Sequence, residues 1–110
     1  RSKSMRKHYN KLVRDRIPEI IERDSRDYEI ATMSEEEYRK ALRAKLVEEA
    51  EEAAEADPEK LVIELADVYE IIDAIMVAFG IQRELVMAEQ EKRRSERGGF
   101  AKRIELLWAE

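Results

Sequence analysis

The apolar residues of the chain recur with helical spacing, and capping signals divide that pattern into separate helices. Pro18 suits a first helical turn, so residues 18–23 read as the start of a short helix. Tyr28–Thr32 is a short stretch with β-branched members and reads as extended. Ser34-Glu-Glu-Glu37 has the capping-box sequence, in which Ser34 accepts from the amide at Glu37 and Glu37 reaches back. A long helix then runs to about Ala56. Asp57-Pro58 breaks it, with Asp57 able to cap a third helix and Pro58 at its first position. That helix extends from Pro58 to Phe79 and stops at Gly80, a C-cap signal. A fourth covers Gln82 to Glu96 and ends at Gly98-Gly99. Ile104–Trp108 is a short apolar tail, strand or helix. The pattern predicts an all-α fold, a four- to five-helix bundle around an antiparallel hairpin, in one domain over residues 1–110.

Carboxylates interrupt the apolar faces. With each helical residue advancing about 100°, Tyr38, Leu42 and Ala53 share one face of the second helix, and Glu49 falls inside that sector. Glu52 lies at its edge and Glu48 one step further out. On the third helix the main predicted stripe is Leu61, Leu65, Val68, Ile72, Ile75 and Phe79. Glu64 falls between Ile71 and Ile75, and Asp67 between Ala74 and Ala78. Measured from the break at Asp57-Pro58, Glu52 comes level with Glu64 and Glu49 with Asp67. Each pair is spaced i,i+3, so its two side chains face the same way. Unpaired buried carboxylates are very costly, so these four need a cation or basic partners. An all-oxygen set suits a hard divalent ion, Mg²⁺ first and Mn²⁺ after it. The plain alternative is a salt-bridged helical surface, with Lys45 and neighbouring arginines as partners. A di-iron carboxylate bundle needs Glu-x-x-His pairs, and no helix here carries a histidine.

Composition narrows the chemistry further. In the 110 residues the hydrophobic set is 44% and plentiful enough to argue against disorder. No run approaches the ~20 apolar residues of a spanning helix, and no secretory signal opens the chain, so a cytoplasmic, membrane-free protein is expected. Cysteine is absent, which excludes disulfides, a thiolate nucleophile and Cys-ligated zinc. His8 is the single histidine, read as an exposed terminal residue. The net charge of −5 hides a segregation. Residues 1–16 carry seven Lys/Arg against one acid, and residues 92–110 carry six against three. Residues 17–91 carry eight basic residues against 22 acidic ones. An acidic centre with basic ends suits a metal cation plus a phosphorylated ligand; the plain reading is a solvated surface with basic tails. The acidic total argues against duplex nucleic-acid binding. Residues 1–8 read as a flexible basic tail, with Met5 one candidate for a native start.

Three segments carry a resemblance. Glu48-Glu49-Ala-Glu-Glu52 followed by Glu64-Leu-Ala-Asp67 resembles the EExxE…ExxD signature of the MazG-like all-α nucleoside triphosphate pyrophosphohydrolases. The eleven-residue gap between the halves is on the short side for that signature. Tyr9-Asn-Lys-Leu-Val-Arg-Asp-Arg-Ile-Pro18 resembles the opening of the phosphoribosyl-ATP pyrophosphohydrolase-like branch, and Arg97-Gly-Gly-Phe-Ala-Lys-Arg103 its closing motif. Together they cover most of residues 9–108. The resemblance implies a helical bundle acting as a homodimer or homotetramer. It also implies cleavage of a nucleoside triphosphate between the α and β phosphates. On this chain Glu49, Glu52, Glu64 and Asp67 would hold Mg²⁺, and Glu48 would orient or deprotonate the water.

Such chemistry needs a bound ion, a positioned water and charge neutralisation rather than a covalent nucleophile. Glu48 and Glu52 are the candidate general bases. Lys11, Arg14, Arg97, Lys102 and Arg103 are candidate phosphate contacts, and Asn10 can hydrogen-bond a base or cap a turn. Asp15 reads as a structural partner of Arg14 or Arg16, and Phe100 and Trp108 as small-core packing rather than base stacking. Three classes follow: a nucleotide-pool house-cleaning pyrophosphohydrolase, a phosphoribosyl-ATP pyrophosphohydrolase of histidine biosynthesis, and a non-catalytic helical interaction module. Substrate breadth separates the first two, and the response of thermal stability to Mg²⁺ tests the third.

Overall fold

The computed structural model describes residues 6–110, and the expectations for Met5 and for the outer part of the tail lie outside them. Four α-helices and one 3₁₀ turn make up its regular structure, with no strand among the described residues. The helices are α1 (Ile17–Arg23), α2 (Glu35–Glu55), α3 (Leu61–Ala78) and α4 (Arg83–Arg97). The all-α expectation therefore holds. The chain divides into two compact units, Arg1–Ile75 and Met76–Glu110.

In the first unit, local chemistry sets most boundaries. Pro18 stands in the first turn of α1. At the other end of α1, Ser25 takes the left-handed conformation (φ 57°). There its amide donates to the carbonyl of Glu22, and that of Arg26 to Ile21. Tyr28–Thr32 forms no strand, and no second strand is present among the described residues to pair with it. The Ser34 capping box closes at both contacts: Glu37 N–H to Ser34 Oγ at 3.2 Å, and Ser34 N–H to Glu37 Oε1 at 3.0 Å. The backbone contact to Ser34 leads in holding the Glu37 carboxyl below the usual carboxylate range. Pro58 leads a 3₁₀ turn, Pro58–Lys60, ahead of α3, and the Asp57 side chain makes no capping bond.

The core differs from the predicted stripe. Leu42 (2% exposed) and Ile71 are its buried apolar members in this unit. Leu61, Leu65 and Phe79, placed on the predicted stripe, are exposed. The buried line of α3 instead runs through Ile71, with Glu64 and Asp67 half-buried on the way to it.

In the second unit, α3 ends as Gly80 predicts. Gly80 has φ 65°, its amide donates to Val77, and Ile81 N–H donates to Met76 at 2.8 Å. Gly98 (φ 82°) follows α4, its amide bonded to Arg94. Ile104–Trp108 is neither strand nor helix but exposed, irregular chain. Phe100 is 98% exposed and Trp108 largely so, which overturns the core-packing expectation for both. Among the described residues no helix is long and apolar enough to cross a membrane.

Candidate metal centre

The short connection between α2 and α3 turns the chain back on itself. Glu49, eight residues before Asp57, meets Asp67, ten after it. One carboxylate oxygen each from Glu49, Glu64 and Asp67 lies within 4.8 Å of the others. Leu42 and Glu49 share the inward sector of α2, as the spacing predicts, and Glu49 is 8% exposed. Glu64 and Asp67, one helical turn apart, project together from the facing helix.

Three of the four predicted ligands are thus brought together. Glu52 stands outside the triple and is exposed. The i,i+3 spacing that joins Glu64 to Asp67 does not bring Glu52 into the triple, since Glu52 stands one turn nearer the end of α2 and stays exposed. It remains a neighbour of Glu49, whose carboxyl it perturbs by charge and by a side-chain hydrogen bond.

The electrostatics are those of an anion set short of cations. Burial, and then the Glu52 charge, push the Glu49 carboxyl above its ordinary value; Lys45 acts in the opposite sense, and Asp67 adds to the rise. Oε2 of Glu49 and Oε2 of Glu64 are buried and accept no hydrogen bond among the described residues. Buried oxygens without donors are costly. Three converging carboxylates with two such oxygens fit a divalent, oxygen-preferring cation.

Basic side chains border the set. Lys45 Nζ, largely buried, lies 3.7 Å from Glu49 Oε1 and 4.0 Å from Glu48 Oε1. Lys11 Nζ donates to Glu48 Oε1 at 3.3 Å. Arg14 Nη2 donates to Asp67 Oδ1 at 2.7 Å. Arg14 therefore pairs with Asp67 of α3, so of the two partners expected for Asp15, Arg14 and Arg16, the first is engaged elsewhere. These two contacts span 37 and 53 residues and leave no periodic signal. Only the opposite charge of residues 1–16 and of the chain's centre pointed to them.

The other predicted site residues are exposed. Asn10 has φ 46° and turns the chain just before Lys11. His8 is exposed, as expected. Arg97 closes α4. Arg103 takes φ 55°, with its amide bonded to the Phe100 carbonyl at 3.0 Å. Arg97, Lys102 and Arg103 belong to the second unit.

No family model matches the chain. No solved structure matches it. An uncharacterized protein of Mycolicibacterium smegmatis (strain ATCC 700084 / mc(2)155) is 49% identical over 53 residues, which is 48% of this chain. The aligned part spans about half of that relative, 54% of its length.

Proposed function

We propose that the chain is a Mg²⁺-dependent nucleoside triphosphate pyrophosphohydrolase of the MazG-like kind, serving nucleotide-pool house-cleaning. One observation carries this reading: Glu49, Glu64 and Asp67 converge with two buried oxygens that accept no hydrogen bond. The three motifs resembling that family support it.

Glu49, Glu64 and Asp67 would hold the ion, with Glu52 beside them. Mg²⁺, or Mn²⁺ in its place, supplies charge neutralisation at the phosphates and a bound water of lowered pKa. Glu48 stands at the rim, beside rather than inside the ligand triple, where a carboxylate can take a proton from the attacking water. Glu52 is the second candidate base. Water adds across the α–β anhydride; one side leaves as the monophosphate, the other as pyrophosphate. Lys11 and Arg14 border the carboxylates and would meet the phosphate oxygens through charge-assisted hydrogen bonds. Asn10 is a further candidate contact beside Lys11, and for Arg97, Lys102 and Arg103 the reading rests on the resemblance of their motif alone.

The ³¹P NMR spectrum of a panel of triphosphates, incubated with the protein and Mg²⁺, tests the reading. Monophosphate plus pyrophosphate is the expected outcome. Orthophosphate plus diphosphate would assign the wrong bond. Turnover of phosphoribosyl-ATP alone would move the reading to that narrower enzyme.

A homodimer or homotetramer is part of the proposal. The first unit buries few apolar side chains, while Val62, Leu65 and Tyr69, which share one side of α3, are exposed. A second copy of the chain would cover them, and light scattering would read the mass. The ion pairs of Lys11, Arg14 and Lys45 favour a second reading, a non-catalytic helical module with a salt-bridged surface. A thermal stability indifferent to millimolar Mg²⁺ would support it.

A further inference from the structure

We propose that residues 9–16 form a cation strap, which holds Glu48 and Asp67 in the metal-free chain and releases them when a divalent cation binds. The proposal rests on the metal site described above and adds its control.

The cluster has a ligand-seeking feature besides its acids, since Glu49 is buried with Oε2 unbonded. Two of its other acids are occupied from outside. Arg14 takes Asp67 Oδ1, a member of the ligand triple, and Lys11 takes Glu48 Oε1. Both contacts exchange readily with water, because the Arg14 side chain is 58% exposed and that of Lys11 48%. No helix or strand holds residues 6–14, so the strap can lift without breaking backbone ladders. Its base is fixed, with Ile17 N–H bonded to the Arg14 carbonyl at the entry to α1.

Charge makes the exchange balanced. Lys45 is on α2 and stays with the cluster, whereas Lys11 and Arg14 come from the strap. The two strap charges equal the charge of one divalent ion. With Glu52 counted, entry of the ion with the strap in place would take five carboxylates and three cations from a charge of −2 to neutral, with Asp67 Oδ1 still occupied by Arg14. Exchange keeps the balance and leaves Lys11 and Arg14 tethered beside the site, free for an anionic ligand. Metal binding would then precede and enable contact with phosphate oxygens.

Mn²⁺ binding to the full chain, followed by the EPR signal of the free ion, tests this. Arg14→Gln should bind Mn²⁺ about two- to fivefold more tightly than the unaltered chain, the range spanned by an exposed ion pair. Lys11→Gln should act in the same direction, and Arg16→Gln, an equal charge change on an exposed neighbour, should not. In an NMR titration with Mg²⁺, the Arg14 Nε–Hε signal should move toward that of a free arginine. Equal or weaker Mn²⁺ binding by Arg14→Gln would show Arg14 steadying Asp67 instead, and would overturn the strap while leaving the metal site standing. An equal gain in Arg16→Gln would reduce the effect to general charge and also overturn it. No Mn²⁺ binding by the unaltered chain would overturn both.

Discussion

Glu49→Gln is the sharpest perturbation available, because it changes charge at one buried position with little change of shape. In the metal-free protein the carboxylate is penalised by burial and by Glu52, and one oxygen lacks a partner. Glutamine removes the charge, so metal-free stability should stay level or rise, by about 1 kcal/mol at most given the loss of the Lys45 attraction. A cation at one hundred times its Kd stabilises the unaltered protein by about 2.7 kcal/mol. At roughly 4 °C per kcal/mol for a chain of this size, that is about 10 °C in Tm. If loss of one ligand weakens binding a hundredfold, the same concentration gives only about 0.4 kcal/mol, or about 2 °C. Differential scanning fluorimetry with and without Mn²⁺ measures both numbers on both proteins. The variant should melt at or above the parent without metal and well below it with metal. A Tm rise in Glu49→Gln equal to that of the parent would refute the assignment of Glu49 as a ligand.

Three further outcomes follow from the same geometry. Asp67→Asn should abolish pyrophosphate release in the ³¹P assay while circular dichroism keeps its helical signal; full turnover would remove Asp67 from the site. The metal-free protein should lose stability as pH rises through the titration of Glu49, since its folded pKa lies above the unfolded one and the native state binds the extra proton across that window. Urea midpoints measured from pH 4 upward should show this slope, and Glu49→Gln should flatten it. Ser34→Ala opens the capping box of α2 and should cost about 1 kcal/mol in urea unfolding, with the Glu37 carboxyl returning toward its ordinary range in NMR titration.

What the sequence made legible was local. The Ser34 box, Gly80 and Gly98 act through contacts within a few residues, and each marks a boundary where the structure has one. The phase of α3 was not legible, and the reason lies in its composition. Val62, Ile63 and Val77 spread its apolar surface beyond a single stripe, so helical spacing alone supplies several equivalent stripes. Leu61 and Leu65 fit one such stripe and are exposed. The acids mark the correct phase, because Glu64 and Asp67 must meet Glu49. The strap was hidden for a different reason. Contacts such as Arg14 to Asp67 join distant segments through single side chains and impose no period on either.

The position of Glu49 separates folding from function. It lies on the inward sector of α2 with Leu42, where an apolar side chain of similar size would bury at no electrostatic cost. Replacing buried charges by apolar groups is often neutral or stabilising, so fold stability gives no reason for a carboxylate there. Lys45 does not account for it either. It lies 3.7 Å from one oxygen and leaves the other unbonded, and the carboxyl is still pushed upward. The same holds for Glu64, half-buried with an unbonded oxygen of its own. Two helices each place an acid toward the same point, with oxygens that accept no hydrogen bond among the described residues, and on the proposed reading a divalent cation supplies the opposite charge. Lys11 and Arg14 reach Glu48 and Asp67 and leave those two oxygens without a donor. On that reading a cation would meet the two oxygens that Lys45, 3.7 Å from Glu49 Oε1, leaves without a donor.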